Sequence, residues 1–275
     1  MISLELQPPP EQGRDAMAAP RLLITGATSG IGRATALLFA QKHAGSALVL
    51  TGRRNSKLQE VCREVEKLGG RALGLNVDVA DRKAMQDAVA SLPEDFAATD
   101  ILVNNAGCAL GLEPLREGDV DEWEQMVRAN ILGLLYTTKF VLPGMVDRKR
   151  GHIVNIGSVA GSYALPNAEV YCGTKAFVNH MSLAMRGDLF GKGVRVTSIE
   201  PGNTETEFAI TRFRGDTSKA DKVYEGASSR VAMTGSDIAE VIEWCTMGVG
   251  RHVNVNRIEL MPETQGFGPF AFNRS

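Results

Sequence analysis

Tyrosine, lysine and serine side chains are placed in this sequence where they would transfer a proton at a carbonyl or hydroxyl oxygen. Of the four tyrosines, Tyr171 alone is followed four residues later by a lysine, Lys175. Residues i and i+4 share one face of a helix, so the ammonium would lie beside the phenol. A neighbouring positive charge favours the phenolate, so the pair predicts a lowered pKa for Tyr171 and acid–base catalysis near neutral pH.

Ser158 strengthens this prediction, because a tyrosine–lysine pair at this spacing is by itself common. It lies thirteen residues before Tyr171, at the end of an apolar run that is typical of a strand. Ligands bind at the carboxyl ends of the strands in open α/β sheets. A hydroxyl there would reach the same substrate oxygen as the phenol.

A glycine-rich turn stands between the first predicted strand and the helix that follows it. Glycines allow a tight turn and close approach of the backbone to a pyrophosphate, and the helix N-terminus supplies free N–H groups. The spacing G-x-x-x-G-x-G differs from the common G-x-G-x-x-G, so turn glycines without a ligand are the alternative. In this position the turn predicts nucleotide binding through Gly26, Thr28, Ser29, Gly30, Ile31 and Gly32.

Arginines follow the second predicted strand, where an NAD site would place a carboxylate on the ribose hydroxyl. Gly52, Arg53 and Arg54 occupy this place, and Arg33 follows the glycine turn. A carboxylate would repel a 2′-phosphate, whereas a guanidinium binds it with two charge-assisted hydrogen bonds. The arginines therefore predict NADP(H) as the cofactor, the alternative being that Arg53 and Arg54 merely begin a solvated helix.

Alternating strand and helix patterns from residue 21 onward must position these residues. Continuous apolar runs such as LLIT, ALVLT and IVNI are typical of strands buried on both faces. Strands are predicted at 21–25, 47–51, 72–77, 100–104, 152–157, 194–199 and 252–260, and helices at 30–43, 55–69, 82–92, 120–147, 168–191 and 235–247. This alternation predicts a parallel sheet with helices on both faces.

Composition and charge exclude several other classes of protein. The 275 residues include 30 basic and 32 acidic side chains, for a net charge of −2, and 44% are hydrophobic. This balance is typical of a globular domain and gives no support for binding nucleic acid or an anionic membrane. The four cysteines lack metal-binding spacing, and the longest uncharged stretch, 151–168, contains polar residues. We therefore expect reduced thiols, no metal site, no membrane span and a cytoplasmic location.

The chain is predicted to consist of a short extension and one domain. Residues 1–19 contain three consecutive prolines and several charges but no apolar signal-peptide core, so we expect a flexible N-terminal extension. Residues 20–275 are expected to form the domain. Within it, the polar and charged stretch 203–232 is predicted to be a flap over the substrate.

Taken together, the motifs resemble those of the short-chain dehydrogenase/reductase family in order and spacing. The resemblance spans residues 20–262 and rests on the glycine turn, Asn104-Asn105-Ala106-Gly107, Asn130, Ser158, Tyr171-x-x-x-Lys175 and Pro201-Gly202. It implies a single doubly wound, Rossmann-type α/β domain. The seven-stranded parallel sheet of that domain would bind the cofactor across its strand ends.

Specific roles follow from this resemblance. It implies that Tyr171 is the general acid in reduction and the general base in oxidation, and that Ser158 holds the substrate oxygen. Lys175 would bind the nicotinamide ribose and tune the tyrosine, while Asn130 would keep a water beside Lys175 or, alternatively, kink its helix. The other cofactor-binding residues implied are Asp78 and Val79 at the adenine, Asn105 along the cofactor, and Pro201, Gly202, Thr204 and Thr206 at the nicotinamide.

Peripheral segments are similar to the NADP-dependent 3-hydroxy acid dehydrogenases within this family. They include LGLEP at 110–114, VLPGM at 141–145, TEF at 206–208, TRF at 211–213 and ELMPETQ at 259–265. The resemblance implies L-serine, L-allo-threonine, 3-hydroxyisobutyrate and 3-hydroxypropionate as substrates, or malonic semialdehyde in reverse. The 201–208 loop is one residue shorter than in some members, which leaves its cofactor contacts open.

The carboxylate of a 3-hydroxy acid requires a cation, because a buried carboxylate without a partner is unfavourable. The flap offers Arg212 and Arg214, with Lys219, Lys222 and Arg230 farther along. Arg212 is our hypothesis for the carboxylate partner, and a solvated charge on the flap is the alternative.

Two other functions fit parts of the pattern. An NADPH-dependent ketoreductase for 3-oxoacyl thioesters or other carbonyls would share the fold, but the tail lacks the Gly-Gly turn usual in such members. A non-catalytic NADP(H)-binding sensor predicts a damaged catalytic group, whereas all four residues are present. The long helices at 120–147 and 168–191 further imply, by resemblance, a homotetramer.

Overall fold

Seven parallel strands form the central sheet of the computed structural model, which describes residues 19–216, 218 and 232–266. They are β1 (Arg21–Ile24), β2 (Ala47–Gly52), β3 (Arg71–Asn76), β4 (Ile101–Asn104), β5 (Gly151–Ile156), β6 (Val194–Pro201) and β9 (Arg257–Leu260), with β7 (Thr204–Glu205) and β8 (Met233–Thr234) pairing separately. The order β3-β2-β1-β4-β5-β6-β9 reverses direction between β1 and β4. That reversal opens a crevice at the carboxyl ends of the strands. The predicted doubly wound parallel sheet is confirmed.

Helices cover both faces of the sheet. They are α1 (Gly30–Lys42), α2 (Asn55–Lys67), α3 (Arg82–Ala90), α4 (Glu94–Ala97), α5 (Val120–Val127), α6 (Gly133–Asp147), α7 (Glu169–Asp188), α8 (Phe208–Arg212) and α9 (Gly235–Glu243). Helices α1, α2 and α9 pack on one face, and α3, α6 and α7 pack on the other. The expected N-terminal extension (residues 1–18), residues 217 and 219–231 of the expected flap, and residues 267–275 lie outside the described residues.

Side chains of β1 alternate between the two faces, as they do along any strand. Leu22 and Ile24 pack with Phe39 of α1, whereas Leu23 packs with Met145 of α6. All five side chains are at most 1% exposed. This burial on both faces explains why the strand has an unbroken apolar sequence.

The predicted helix at 120–147 is interrupted by a π turn, Arg128–Leu132, which separates α5 from α6. Among the described residues, Val120–Asp147 is also the one helical stretch long and apolar enough to span a membrane, with a mean hydropathy of 1.2. Its second half packs on β4 and β5. Packing on the sheet therefore accounts for the buried apolar residues of α6, such as Val141 and Met145.

The last strand begins at Arg257, later than the predicted residue 252. The side chain of Asn254 causes this difference. Its Oδ1 accepts a hydrogen bond from the Val196 backbone N at 2.8 Å, and its Nδ2 donates to the Val196 carbonyl at 2.8 Å. An amide side chain thus takes the place of a backbone partner, and pairing of β9 with β6 starts only at Ser198 and Arg257.

Candidate active site

A cleft of about 1030 Å³ runs along the carboxyl ends of the strands. The structure brings nearly all of the predicted site residues to its wall. The lining residues include Gly26, Thr28, Ser29, Gly30, Ile31, Arg53, Arg54, Asp78, Val79, Asn105, Ser158, Tyr171, Lys175, Pro201, Gly202, Thr204, Thr206 and Arg212. Two predicted site residues, Gly32 and Asn130, do not line the cleft. They contact residues that do, since Gly32 packs against Gly26 and Asn130 bonds to Cys108.

The turn between β1 and α1 requires its glycines for two different reasons. Gly26 and Gly30 have φ angles of +66° and +53°, a left-handed backbone conformation that favours glycine. A Cβ on Gly32 would come within 2.5 Å of the Gly26 carbonyl oxygen, so Gly32 lets the helix approach the turn closely. Ser29 precedes α1 without a side-chain hydrogen bond to the helix, which leaves the first N–H groups without a side-chain acceptor. This arrangement fits the pyrophosphate of a dinucleotide.

Asn105 holds the glycine turn in place from the end of β4. Its Nδ2 donates to the Thr25 carbonyl at 2.9 Å and to the Gly26 carbonyl at 3.0 Å. Its backbone N donates to the Thr25 hydroxyl at 3.0 Å. Asn105 therefore both lines the cleft and supports the turn.

Two of the three candidate arginines, Arg53 and Arg54, line the cleft. We call this part of the cleft, which also includes Asp78 and Val79, its adenosine end. Arg54 donates from Nη2 to the hydroxyls of Thr28 at 2.8 Å and Ser29 at 3.0 Å. Arg53 lies 3.8 Å from Asp78. Arg33 instead pairs with Glu64 at 2.6 and 2.9 Å, joining α1 to α2. Arg33 does not line the cleft, and a role for it at the 2′-phosphate stays a prediction.

Tyr171, Lys175 and Ser158 meet in the middle of the cleft, and all three are buried. Tyr171 and Lys175 are one turn apart on α7, and the Lys175 Nζ lies 5.9 Å from the centre of the tyrosine ring. The Lys175 Nζ donates to the Ile156 carbonyl at 2.8 Å. Ser158 follows β5, and its hydroxyl contacts the Pro201 carbonyl at 3.4 Å. The predicted convergence of these side chains is confirmed.

The pKa of Tyr171 differs from the sequence-based expectation. Burial raises the pKa of its phenol, while a hydrogen bond with Ser158 and the charge of Arg212 act in the opposite direction. Burial also lowers the pKa of Lys175 to about 8. The predicted lowering of the Tyr171 pKa is therefore wrong, because desolvation outweighs the charges nearby. The phenol is protonated at neutral pH and is ready to donate a proton.

Asn130 lies in the π turn and links two parts of the site. Its Oδ1 accepts from the Cys108 backbone N at 2.8 Å, and its Nδ2 donates to the Cys108 carbonyl at 2.8 Å and the Thr174 hydroxyl at 2.9 Å. The side chain thus joins the loop after β4 to α7. Asn130 thus lies in a π turn of its helix, and its role in holding a water stays a prediction.

Arg212 extends from α8 over the ring of Tyr171. Its guanidinium lies 5.3 Å from the centre of the Tyr171 ring and 5.7 Å from that of Phe208. Arg214, the other described arginine of the flap, pairs with Glu122 of α5. Lys219, Lys222 and Arg230 lie outside the described residues. The structure therefore places Arg212, and not Arg214, beside Tyr171 in the cleft.

The cleft wall also includes Glu207, Phe208 and Gln265, to which sequence reasoning assigned no role. The Phe208 ring packs against Tyr171, with the ring centres 5.7 Å apart. Gln265 accepts from the Asn203 backbone N at 2.6 Å, and Glu207 pairs with Arg54 at 2.7 Å. Their positions depend on contacts between segments that are distant in sequence, and local residue spacing does not predict such contacts.

The fold and the site together define a dinucleotide-dependent oxidoreductase built on one α/β domain. Residues 21–216 match the family model for short chain dehydrogenases. The chain belongs to this family.

Two relatives and one solved structure are similar to the chain along most of its length. The NADP-dependent 3-hydroxy acid dehydrogenase YdfG of Salmonella typhi is 46% identical over 255 residues, covering 92% of this chain and 99% of the relative. The serine 3-dehydrogenase of Rhizobium radiobacter is 44% identical over 253 residues, covering 92% and 98%. A solved closed form of serine dehydrogenase complexed with NADP+ superimposes with a TM-score of 0.86 at 44% identity, covering 92% and 99%.

Proposed function

We propose that this chain is an NADP-dependent dehydrogenase that oxidises the 3-hydroxyl group of small 3-hydroxy acids. L-serine, L-allo-threonine, 3-hydroxyisobutyrate and 3-hydroxypropionate are the proposed substrates, with malonic semialdehyde in the reverse reaction. The observation that carries the proposal is the Arg212 guanidinium, 5.3 Å from the ring of the catalytic tyrosine. The relatives that act on 3-hydroxy acids and serine support it.

The cofactor is NADP(H), and the residues around the adenosine end of the cleft fit it. Arg53 and Arg54 are the cations for its 2′-phosphate, since a guanidinium suits a phosphate and a carboxylate does not. The glycine turn and the start of α1 hold the pyrophosphate. When bound, the nicotinamide supplies the acceptor for a hydride.

Proton transfer is the task of this chain's own side chains. Ser158 and Tyr171 converge on one substrate oxygen, and the phenolate form of Tyr171 removes the hydroxyl proton during oxidation. Lys175 carries the nearest ammonium on the same helix face. In the reductive direction the protonated phenol donates to the developing alkoxide.

Arg212 supplies the cation that a substrate carboxylate requires. In a 3-hydroxy acid, the carboxylate carbon is two carbon–carbon bonds from the carbon that bears the hydroxyl. A substrate held at Tyr171 by its hydroxyl therefore keeps its carboxylate close by, in the part of the cleft that Arg212 faces. Pairing there offsets the loss of carboxylate hydration.

Replacing Arg212 with Ala is expected to raise KM for L-serine and 3-hydroxyisobutyrate by about 100-fold, since a hydrogen bond to a charged group contributes roughly 1.5–3 kcal/mol. KM for an uncharged secondary alcohol is expected to change little. Steady-state kinetics with saturating NADP+ measure both values. Arg214→Ala is the matched control, because it removes a flap arginine that pairs with Glu122. Equal effects on the acids and the uncharged alcohol would refute the role of Arg212.

We further propose that the enzyme is a cytoplasmic homotetramer. Val120 and Val127 of α5 and Leu183 of α7 expose large apolar side chains, which supports pairing of these helices across subunits. All four cysteine thiols are free, which suits a reducing compartment. Light scattering would then give about four times the chain mass of 29.6 kDa.

A further inference from the structure

Glu207 joins the flap to the adenosine end of the cleft by two charged contacts. Its Oε2 accepts from Arg54 Nη1 at 2.7 Å, and its Oε1 accepts from Lys57 Nζ at 2.7 Å. Arg54 directly precedes α2, Lys57 lies in the first turn of α2, and Glu207 directly precedes α8. One carboxylate therefore bridges two elements that are distant in sequence.

A 2′-phosphate at Arg54 would lie close to all three charged groups of this cluster, Arg54, Lys57 and Glu207. These two hydrogen bonds hold the pKa of the Glu207 carboxyl at about 2, so it carries a full negative charge at neutral pH. The Arg54 guanidinium also contacts the hydroxyls of Thr28 and Ser29 in the glycine turn. It thus faces the turn with one terminal nitrogen and Glu207 with the other.

We propose that Glu207 is an internal anion that holds Arg54, one of the proposed 2′-phosphate cations, together with Lys57, and gives up both when the phosphate binds. The inference rests on the proposed NADP(H) cofactor. A carboxylate and a phosphate on the same guanidinium repel each other, so the two compete for it. Arg53 alone does not remove the competition for Arg54, because the Arg53 guanidinium lies 3.8 Å from the Asp78 carboxylate.

Replacement of the Glu207 contacts by a phosphate would also affect the part of the cleft that contains Tyr171. Glu207 is followed directly by Phe208, and Arg212 closes the same short helix. Both side chains contact the Tyr171 ring. Release of Glu207 would therefore remove one of the contacts that hold the segment carrying the proposed carboxylate partner. A cofactor without the 2′-phosphate leaves the Glu207 contacts intact, so Glu207 is a specificity-determining residue.

Calorimetric titration of Glu207→Gln tests this competition without turnover. The two probes are adenosine 2′,5′-bisphosphate and adenosine 5′-monophosphate, which differ only by the 2′-phosphate. The variant is expected to bind the bisphosphate about fivefold more tightly than the wild type does, the effect of losing a half-exposed ion pair. Binding of the monophosphate is expected to stay the same. Glu205→Gln is the matched control, because it removes an exposed charge of the same loop, two residues away.

Three results would contradict the inference in distinguishable ways. If Glu207→Gln binds the bisphosphate equally or more weakly while the wild type still prefers it over the monophosphate, Glu207 does not compete and the proposed cofactor stands. If Glu205→Gln tightens binding as much as Glu207→Gln does, the effect is one of net charge and not of the bridge. If the wild type shows no preference between the probes, the NADP(H) proposal itself fails, and the inference fails with it.

Discussion

Tyr171→Phe is expected to lower kcat for 3-hydroxy acid oxidation by about 10²–10⁴-fold, the range that a positioned acid–base group contributes. The substitution removes the phenol that contacts Ser158 and lies beside Arg212, and it leaves the buried ring in place. Because burial raises the pKa of Tyr171, only a small fraction is phenolate at neutral pH. The oxidation rate of the wild type should therefore rise with pH through the alkaline range, and the variant should lose this rise.

Tyr136→Phe provides the control, since Tyr136 lies on α6 and outside the cleft wall. Calorimetry should find NADP+ bound equally by the wild type and both variants, which separates catalysis from folding and cofactor binding. Retention of more than a tenth of kcat by Tyr171→Phe, with its pH dependence intact, would assign proton transfer to another group.

The double variant Arg53→Ala/Arg54→Ala is expected to lower kcat/KM for NADP+ by about 100-fold, given roughly 1.5–3 kcal/mol for hydrogen bonds to a charged group. The value for NAD+ should change little, because NAD+ carries no 2′-phosphate for these cations. Initial rates at varied cofactor and fixed hydroxy acid measure both values. The preference for NADP+ should accordingly disappear.

Arg33→Ala is a stringent control for the double variant. Arg33 is an arginine beside the same turn, yet its side chain pairs with Glu64. We expect it to leave the ratio of the two cofactor efficiencies unchanged. An equal loss for NADP+ and NAD+ in the double variant would mean that the arginines maintain the turn and do not recognise the phosphate.

The elements that the sequence predicts well are those in which local pattern and tertiary environment agree. Leu22, Leu23 and Ile24 are apolar without interruption because β1 is buried on both faces. The glycine turn could be located because Gly26 and Gly30 need a left-handed backbone and Gly32 has no room for a Cβ. Tyr171 and Lys175 could be paired because α7 is continuous between them.

Features that depend on contacts between distant residues could not be predicted in this way. Asn254 delays the start of β9 by bonding to Val196, 58 residues away. Arg33 pairs with Glu64, 31 residues away, and Glu207 reaches Arg54 across 153 residues. The pKa of Tyr171 depends on burial, which the i, i+4 spacing to Lys175 does not report. Each case depends on the tertiary environment of a side chain and not on its spacing in the sequence.

Cofactor reduction by the wild-type enzyme, with NADP+ and NAD+ in parallel, tests the central claim most directly. The substrates are L-serine, L-allo-threonine, 3-hydroxyisobutyrate, 3-hydroxypropionate and an uncharged secondary alcohol. We predict turnover of the 3-hydroxy acids with NADP+, far weaker turnover with NAD+, and little activity on the uncharged alcohol. Activity confined to the uncharged alcohol, or in reverse to bulky ketones, would contradict the assignment of Arg212 and of the 3-hydroxy acid substrates.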